Sequence, residues 1–172
     1  MDLLSGEDFH QLFRDFKRSA FHLEMQDEYH VTEEIEPFRR WLNNEPDDYA
    51  WVREWHELIK DATAAGKSVQ RARVVSQPVS DYVRFEHAMA RFNTAAGEQL
   101  YWVPRHLTTG IAFPERDFWL LDEEVVAFHI FAADGSYFSA KLVTDHAGVE
   151  RCIRVRDQML AIGIPHESYV LH

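Results

Sequence analysis

The sequence predicts one α/β or α+β domain. Helices cover a central mixed sheet, with a helical first third, a C-terminal meander of strands and a closing helix. Three observations carry this expectation. The chain has 172 residues, a length that suits one domain, and 46% of them are apolar, enough for a core. Apolar residues recur at three- and four-residue steps in five segments and at alternate positions in several segments between them. No linker, internal repeat or shift in composition divides the chain, so residues 1–172 read as a single unit.

The elements follow in order. Ser5 to Asp8 resembles a capping box ahead of Phe9, Leu12, Phe13, Phe16 and Ala20, which predicts an amphipathic helix with Arg14, Asp15, Lys17 and Arg18 toward water. The period then changes. Phe21, Leu23 and Met25 alternate with His22, Glu24 and Gln26, the pattern of a half-buried strand. A helix over 33–43 carries Phe38, Trp41 and Leu42 on its apolar face, with Pro37 early enough to be tolerated. A turn cluster at 43–48 leads into a helix over 47–65, stopped by Gly66. A strand over 69–75 comes next. Ser80 then caps a helix that closes near Gly97. Strands are expected over 100–103, 117–122, 125–131 and 137–143, the last two joined by the turn signal Asp134-Gly135. A helix over 145–162 and a tail over 164–172 complete the chain.

Charge narrows the function classes. Eighteen basic residues against 29 acidic ones leave −11, which opposes direct nucleic-acid binding, because phosphate affinity comes from cations that displace counterions. The start of the chain shows no secretory signal and no window is apolar enough for a bilayer span, so a cytoplasmic protein without a membrane role is expected. The single cysteine, Cys152, rules out an internal disulfide framework and any multi-cysteine metal site, and its place on an apolar helix face reads as packing. No phosphate loop, dinucleotide fingerprint, nucleophile elbow or zinc-protease motif is present. No cofactor, metal site or catalytic residue is therefore assigned.

Three polar groupings remain. His22 and Glu24 share one face of their strand, where a carboxylate could tune an imidazole, but a solvated polar face accounts for the pattern more simply. Asp117, Asp122, Glu123 and Glu124 read best as turn charges. The most suggestive grouping surrounds the strand over 69–75. Arg71, Arg73, Ser76, Tyr82 and Arg84 lie near its C-terminal end, where open α/β sheets bind ligands, and Asn93, Glu98, Trp102 and Arg105 would complete a polar cleft with aromatic walls. Arginines there would grip a carboxylate or phosphate, so a small anionic ligand is expected. The bland alternative is surface arginine paired with carboxylate.

Four stretches also carry a resemblance: LLSGEDFHQLFRDFKRSAFHLEMQDEY, RARVVSQPVSDYVRFE, NTAAGEQLYWVPR and DFWLLDEEVVAFHIFAADGSYFSAKLV. Together they resemble an actinobacterial family defined only as a domain of unknown function, over nearly the whole chain. Its members are commonly encoded beside helix-turn-helix regulators, which implies a regulatory setting and such a regulator as partner. More distantly, the strand DFWLLD, the hairpin at Asp134-Gly135 and the closing helix look like the C-terminal half of a phospholipase-D-like domain. Catalysis there uses a histidine with lysine two residues later, and none of the ten histidines here is followed in that way. The resemblance thus implies a regulatory module that binds a ligand or a partner without catalysis. An enzyme, phosphodiesterase-like or another hydrolase or transferase, is the alternative, with His22, Glu24, Arg73, Arg84, Asn93 and Glu98 as the groups to test. Association into a homodimer is left open.

Overall fold

The computed structural model describes residues 3–4 and 6–172. The expected cap at Ser5 lies outside the described residues. Eight strands form one sheet: β1 (Leu3–Leu4), β2 (Ser19–Glu24), β3 (Ser68–Val75), β4 (Gln99–Pro104), β5 (Phe118–Leu121), β6 (Val125–Phe131), β7 (Tyr137–Val143) and β8 (Ile164–Pro165). Their order across the sheet is β1-β7-β6-β5-β2-β3-β4-β8. Five helices accompany them: α1 (Gly6–Asp15), α2 (Thr32–Leu42), α3 (Arg53–Ala64), α4 (Asp81–Ala95) and α5 (His146–Ile162).

Strands β2, β3 and β4 run parallel and the other pairings are antiparallel, so the sheet is mixed. Parallel neighbours need long crossovers, and here α2 with α3, and then α4, supply them. Period-two alternation sorts the strand side chains into two layers. Phe21, Leu23, Ala72, Val74, Phe118 and Leu120 pack with Val149, Cys152, Val155 and Met159 of α5. On the opposite face Ala20, Val69, Trp119 and Leu121 pack with Phe13, Phe16, Ile59 and Ala62, from α1, α3 and the turn after α1. Farther along that face Leu100 and Trp102 meet Val83 and Ala90 of α4.

Several expectations shift. The first helix ends at Asp15, so Ala20 is a strand residue that still joins the buried cluster around Phe13 and Phe16. Asp122 explains the break. Its carboxylate accepts the backbone N–H groups of Lys17, Arg18 and Ser19 at 2.7, 2.6 and 3.0 Å, holding the chain at the start of β2. The helix expected over 47–65 begins as a 3-10 turn, Ala50–Val52, after Asp47 and Asp48 accept the N–H groups of Tyr49 and Ala50. Ser80 caps α4 as expected, accepting from the Val83 N–H at 3.1 Å. The tail contributes the short strand β8 and buries Tyr169 against Trp102. No helix among the described residues is long and apolar enough to cross a membrane.

Candidate functional site

Register brings polar side chains together on one face of the sheet. Parallel pairing sets His22 beside Arg71 and Glu24 beside Arg73, and antiparallel pairing sets His22 beside Trp119. Arg73 has Trp102 as its other neighbour. This is the face that the crossover helices cover, so the expected solvated face of β2 is interior. His22 is 5% exposed and Arg71 is 7% exposed. Sheets with parallel strands are covered on both faces, so alternation there does not separate core from water.

The charges answer one another. Arg71 donates from Nε to Glu98 and from Nη1 to Glu24, both at 2.7 Å. Arg73 Nε lies 3.0 Å from the second Glu24 oxygen, and its Nη1 pairs with Glu86. Each guanidinium thus sits between two carboxylates, with Glu24 shared. Asn93 steadies Glu98 through a 2.6 Å hydrogen bond and contacts His56 in turn. Burial opposes ionisation of Glu24, but Arg73 and Arg71 outweigh it and hold that carboxyl below the ordinary range. For Glu86 burial prevails over Arg73, and the carboxyl is raised.

Above this floor lies a cleft of about 240 Å³. Sheet residues His22, Glu24, Arg71, Arg73, His129 and Phe131 line it, with Tyr137. Helices α2 and α4 contribute Glu33, Glu34, Tyr82 and Glu86, and the segments before α2 and β5 contribute Tyr29, Val31 and Asp117. Tyr82 and Glu86 are four residues apart on α4 and so point the same way. Tyr82 donates its hydroxyl proton to Glu34, and Tyr29 donates to Asp117. Burial, together with the nearby Glu86, raises the Glu34 carboxyl to about 8. Burial lifts Asp117 to about 7.

Both sheet histidines are held neutral. Burial and then Arg71 push His22 well below the usual imidazole value. Burial brings His129 to about 4 against the pull of Glu24. Their ring centroids are 5.0 Å apart. His22 Nδ1 is 3.5 Å from Glu24 Oε1, and its Nε2 has no hydrogen-bond partner.

The cleft expected from sequence is therefore redrawn. Arg71, Arg73 and Tyr82 line the cavity, Glu98 and Asn93 back Arg71, and Trp102 stacks beneath Arg73 with the guanidinium 5.8 Å from its ring. Ser76 and Arg105 form a separate brace: Arg105 donates to Ser76 Oγ and to the carbonyls of Met25 and Val74, tying the ends of β2 and β3 to the turn after β4. Arg84 is not among the lining residues, since two residues from Tyr82 on a helix means nearly the opposite side. Both floor arginines are already paired, so an anion there would compete with Glu24, Glu86 and Glu98 for them. Of the acidic turn group, Asp122 has the turn role, whereas Asp117 is buried in the cleft. Sequence reasoning missed Tyr29, Glu34, Glu86, His129 and Tyr137. The available signal was charge at alternate positions in two strands that flank crossover helices.

Among the described residues no group of three or more histidine, cysteine or acidic side chains is arranged to hold a metal ion. The cleft lining contains no lysine and no cysteine. Cys152 packs under α5 with its thiol pushed up to about 11 by burial.

Solved structures share the fold, among them three at 10% identity. Nuc from Salmonella typhimurium, a phospholipase D family member, superposes with a TM-score of 0.56 at 10% identity, covering 90% of this chain and 86% of that one. NucT from Helicobacter pylori gives 0.54 at 10% identity over 95% and 96% of the two chains. TrmBL2, an archaeal chromatin protein with a novel mode of DNA binding, gives 0.50 at 10% identity, with 91% of this chain matched to 48% of that one. The phospholipase-D-like fold is thereby supported, while identities this low say nothing of activity. No curated protein matches. A family profile described as a domain of unknown function, DUF6879, matches residues 7–171. The chain that builds this cleft therefore belongs to the DUF6879 family.

Proposed function

We propose that the protein is a non-catalytic ligand-binding module with a regulatory role, cytoplasmic, acting with a helix-turn-helix regulator. One observation carries the reading: the cleft holds both of its arginines in ion pairs with carboxylates. Each arginine is fixed between two carboxylates, both sheet histidines are neutral, and no lysine stands beside them. Phosphoryl transfer needs cationic groups free to meet developing negative charge, and this cleft offers none. A cavity with convergent polar groups and aromatic walls is suited to holding a small molecule. The resemblance to an actinobacterial family encoded beside helix-turn-helix regulators supplies the partner. The chain's −11 charge suits a basic DNA-binding surface on that partner.

The test mixes the protein with a helix-turn-helix regulator of its own genome and follows size-exclusion elution. Co-elution that weakens as salt rises supports the reading; independent elution at low salt removes the partner. The second reading, an enzyme, rests on His22, whose Nδ1 faces Glu24 at 3.5 Å while Nε2 is buried without a hydrogen-bond partner. Turnover of a phosphodiester, amide or nucleotide that disappears in His22→Ala would establish it over the first.

A further inference from the structure

We infer that the cleft is a binding site for a small primary amine carrying a short apolar arm, with the ammonium held by Glu34 and Asp117 beside the buried, unpartnered His22. This rests on the ligand-binding reading and gives the ligand its chemical class.

The charge census points to a cation. Five carboxylates line the cleft, from Glu24, Glu33, Glu34, Glu86 and Asp117, against the two guanidiniums of Arg71 and Arg73. Both guanidiniums are ion-paired with Glu24, Glu86 and Glu98. Glu34 and Asp117 form no ion pair among the described residues; each accepts only neutral donors, the tyrosine hydroxyls and the Met25 N–H. Both carboxyls are raised, Glu34 to about 8 and Asp117 to about 7, the condition of acids that lack a cation.

His22 is the independent observation. It is 95% buried, lines the cleft and has no hydrogen bond at either ring nitrogen. The Glu24 carboxylate, 3.5 Å from Nδ1, favours the tautomer with its proton on Nδ1, and in that tautomer the neutral ring carries its acceptor lone pair at Nε2. An acceptor calls for a donor, and an ammonium has three N–H groups and no acceptor. A carboxylate or phosphate ligand would instead meet a lone pair and two acids.

The apolar arm follows from the neighbouring cavity. A second hollow of about 230 Å³ shares Tyr29, Val31, Glu34 and Tyr82 with the cleft and adds Glu28, His30, Ile35 and Phe38, with a mostly apolar wall. Glu34 therefore stands at the junction of a polar chamber and an apolar one. A ligand anchored there by its charge would lay its remainder along Val31, Ile35 and Phe38.

The experiment titrates the full chain with 2-phenylethylamine, the neutral 2-phenylethanol, the anionic phenylacetate and inorganic phosphate, each to about 10 mM, a range that captures weak affinities. Chemical shifts of the His22 ring and of the Trp119 indole stacked on it report occupancy. The amine is expected to shift both, with the alcohol at least about tenfold weaker, the loss that one ionic contact confers, and the two anions without effect. Glu34→Gln keeps an acceptor for Tyr82 and should weaken the amine at least about tenfold with folding retained. Ile35→Gln, at an exposed position, should weaken phenylethylamine while leaving methylamine binding unchanged. If phenylacetate or phosphate produces the shifts instead, the inference falls and the ligand-binding reading stands. Equal binding of amine and alcohol, an unaffected Glu34→Gln, or no response to any probe also overturns the inference.

Discussion

His22 lies flat against Trp119, ring centroids 4.3 Å apart and planes 12° from parallel. An indole face on one side leaves the imidazole's hydrogen-bonding edge as its only polar outlet, and that edge is unanswered. An unpaired buried polar group costs more than a satisfied one contributes. His22→Phe, which retains the stacking and removes both nitrogens, should raise the melting temperature of the empty protein by about 2–4 °C, the equivalent of roughly 1 kcal/mol. The same variant should lose amine binding. A melting temperature that drops instead would show that the nitrogens are satisfied in the folded protein.

Stability should depend on pH in two opposed ways. His22 and His129 are depressed in the folded chain, so the unfolded chain binds their protons first and stability is lost as pH falls from 6.5 toward about 4. Glu34 and Asp117 are raised, to about 8 and about 7, so the folded chain keeps protons that the unfolded chain releases, and stability is lost as pH climbs toward 8. A broad maximum between pH 5 and 6.5 is expected from melting curves across buffers. Glu34→Gln should flatten the alkaline fall by on the order of 2 kcal/mol, roughly 4–8 °C.

Removing Arg71 should be among the costliest single changes. Arg71→Met leaves Glu24 and Glu98 buried without that partner and should cost about 3–5 kcal/mol. Combining it with Glu24→Gln and Glu98→Gln should recover more than half of the loss, because the burden is uncompensated charge rather than lost packing. Chemical denaturation of the single and triple variants measures both quantities.

Cys152 should be inert in the folded chain. Its side chain is fully enclosed and its thiol is raised to about 11. Reaction with a thiol-specific disulfide reagent should follow the rate of global unfolding, and become immediate in denaturant. A fast reaction under native conditions would show that α5 opens locally.

Much of the architecture is legible in the residues. Strand β6 and strand β7 have the expected limits, because a clean apolar run and the Asp134-Gly135 turn define them locally. Ser80 announces α4 by capping chemistry alone. The site is legible only in part. Arg71 and Arg73 stand out as charges in a strand, yet their partners come from Glu24, Glu86 and Glu98, up to 47 residues away. Glu34 carries no local signal, since it stands between the exposed acids Glu33 and Glu36 on α2 and only tertiary packing sets it over the cleft. Arg84 and Arg105 fail as cleft residues for a related reason: nearness in sequence to a strand end says nothing about which side of a helix or turn a side chain leaves from.

The sheet's outermost members, β1 on β7 and β8 on β4, are only two residues long. Each shields part of a longer strand's open backbone groups from recruiting another chain. Shortening the protein by a handful of residues at the first end, or ending it before Ile164, would uncover β7 or β4, and self-association through those bared rims would follow even with the interior unchanged.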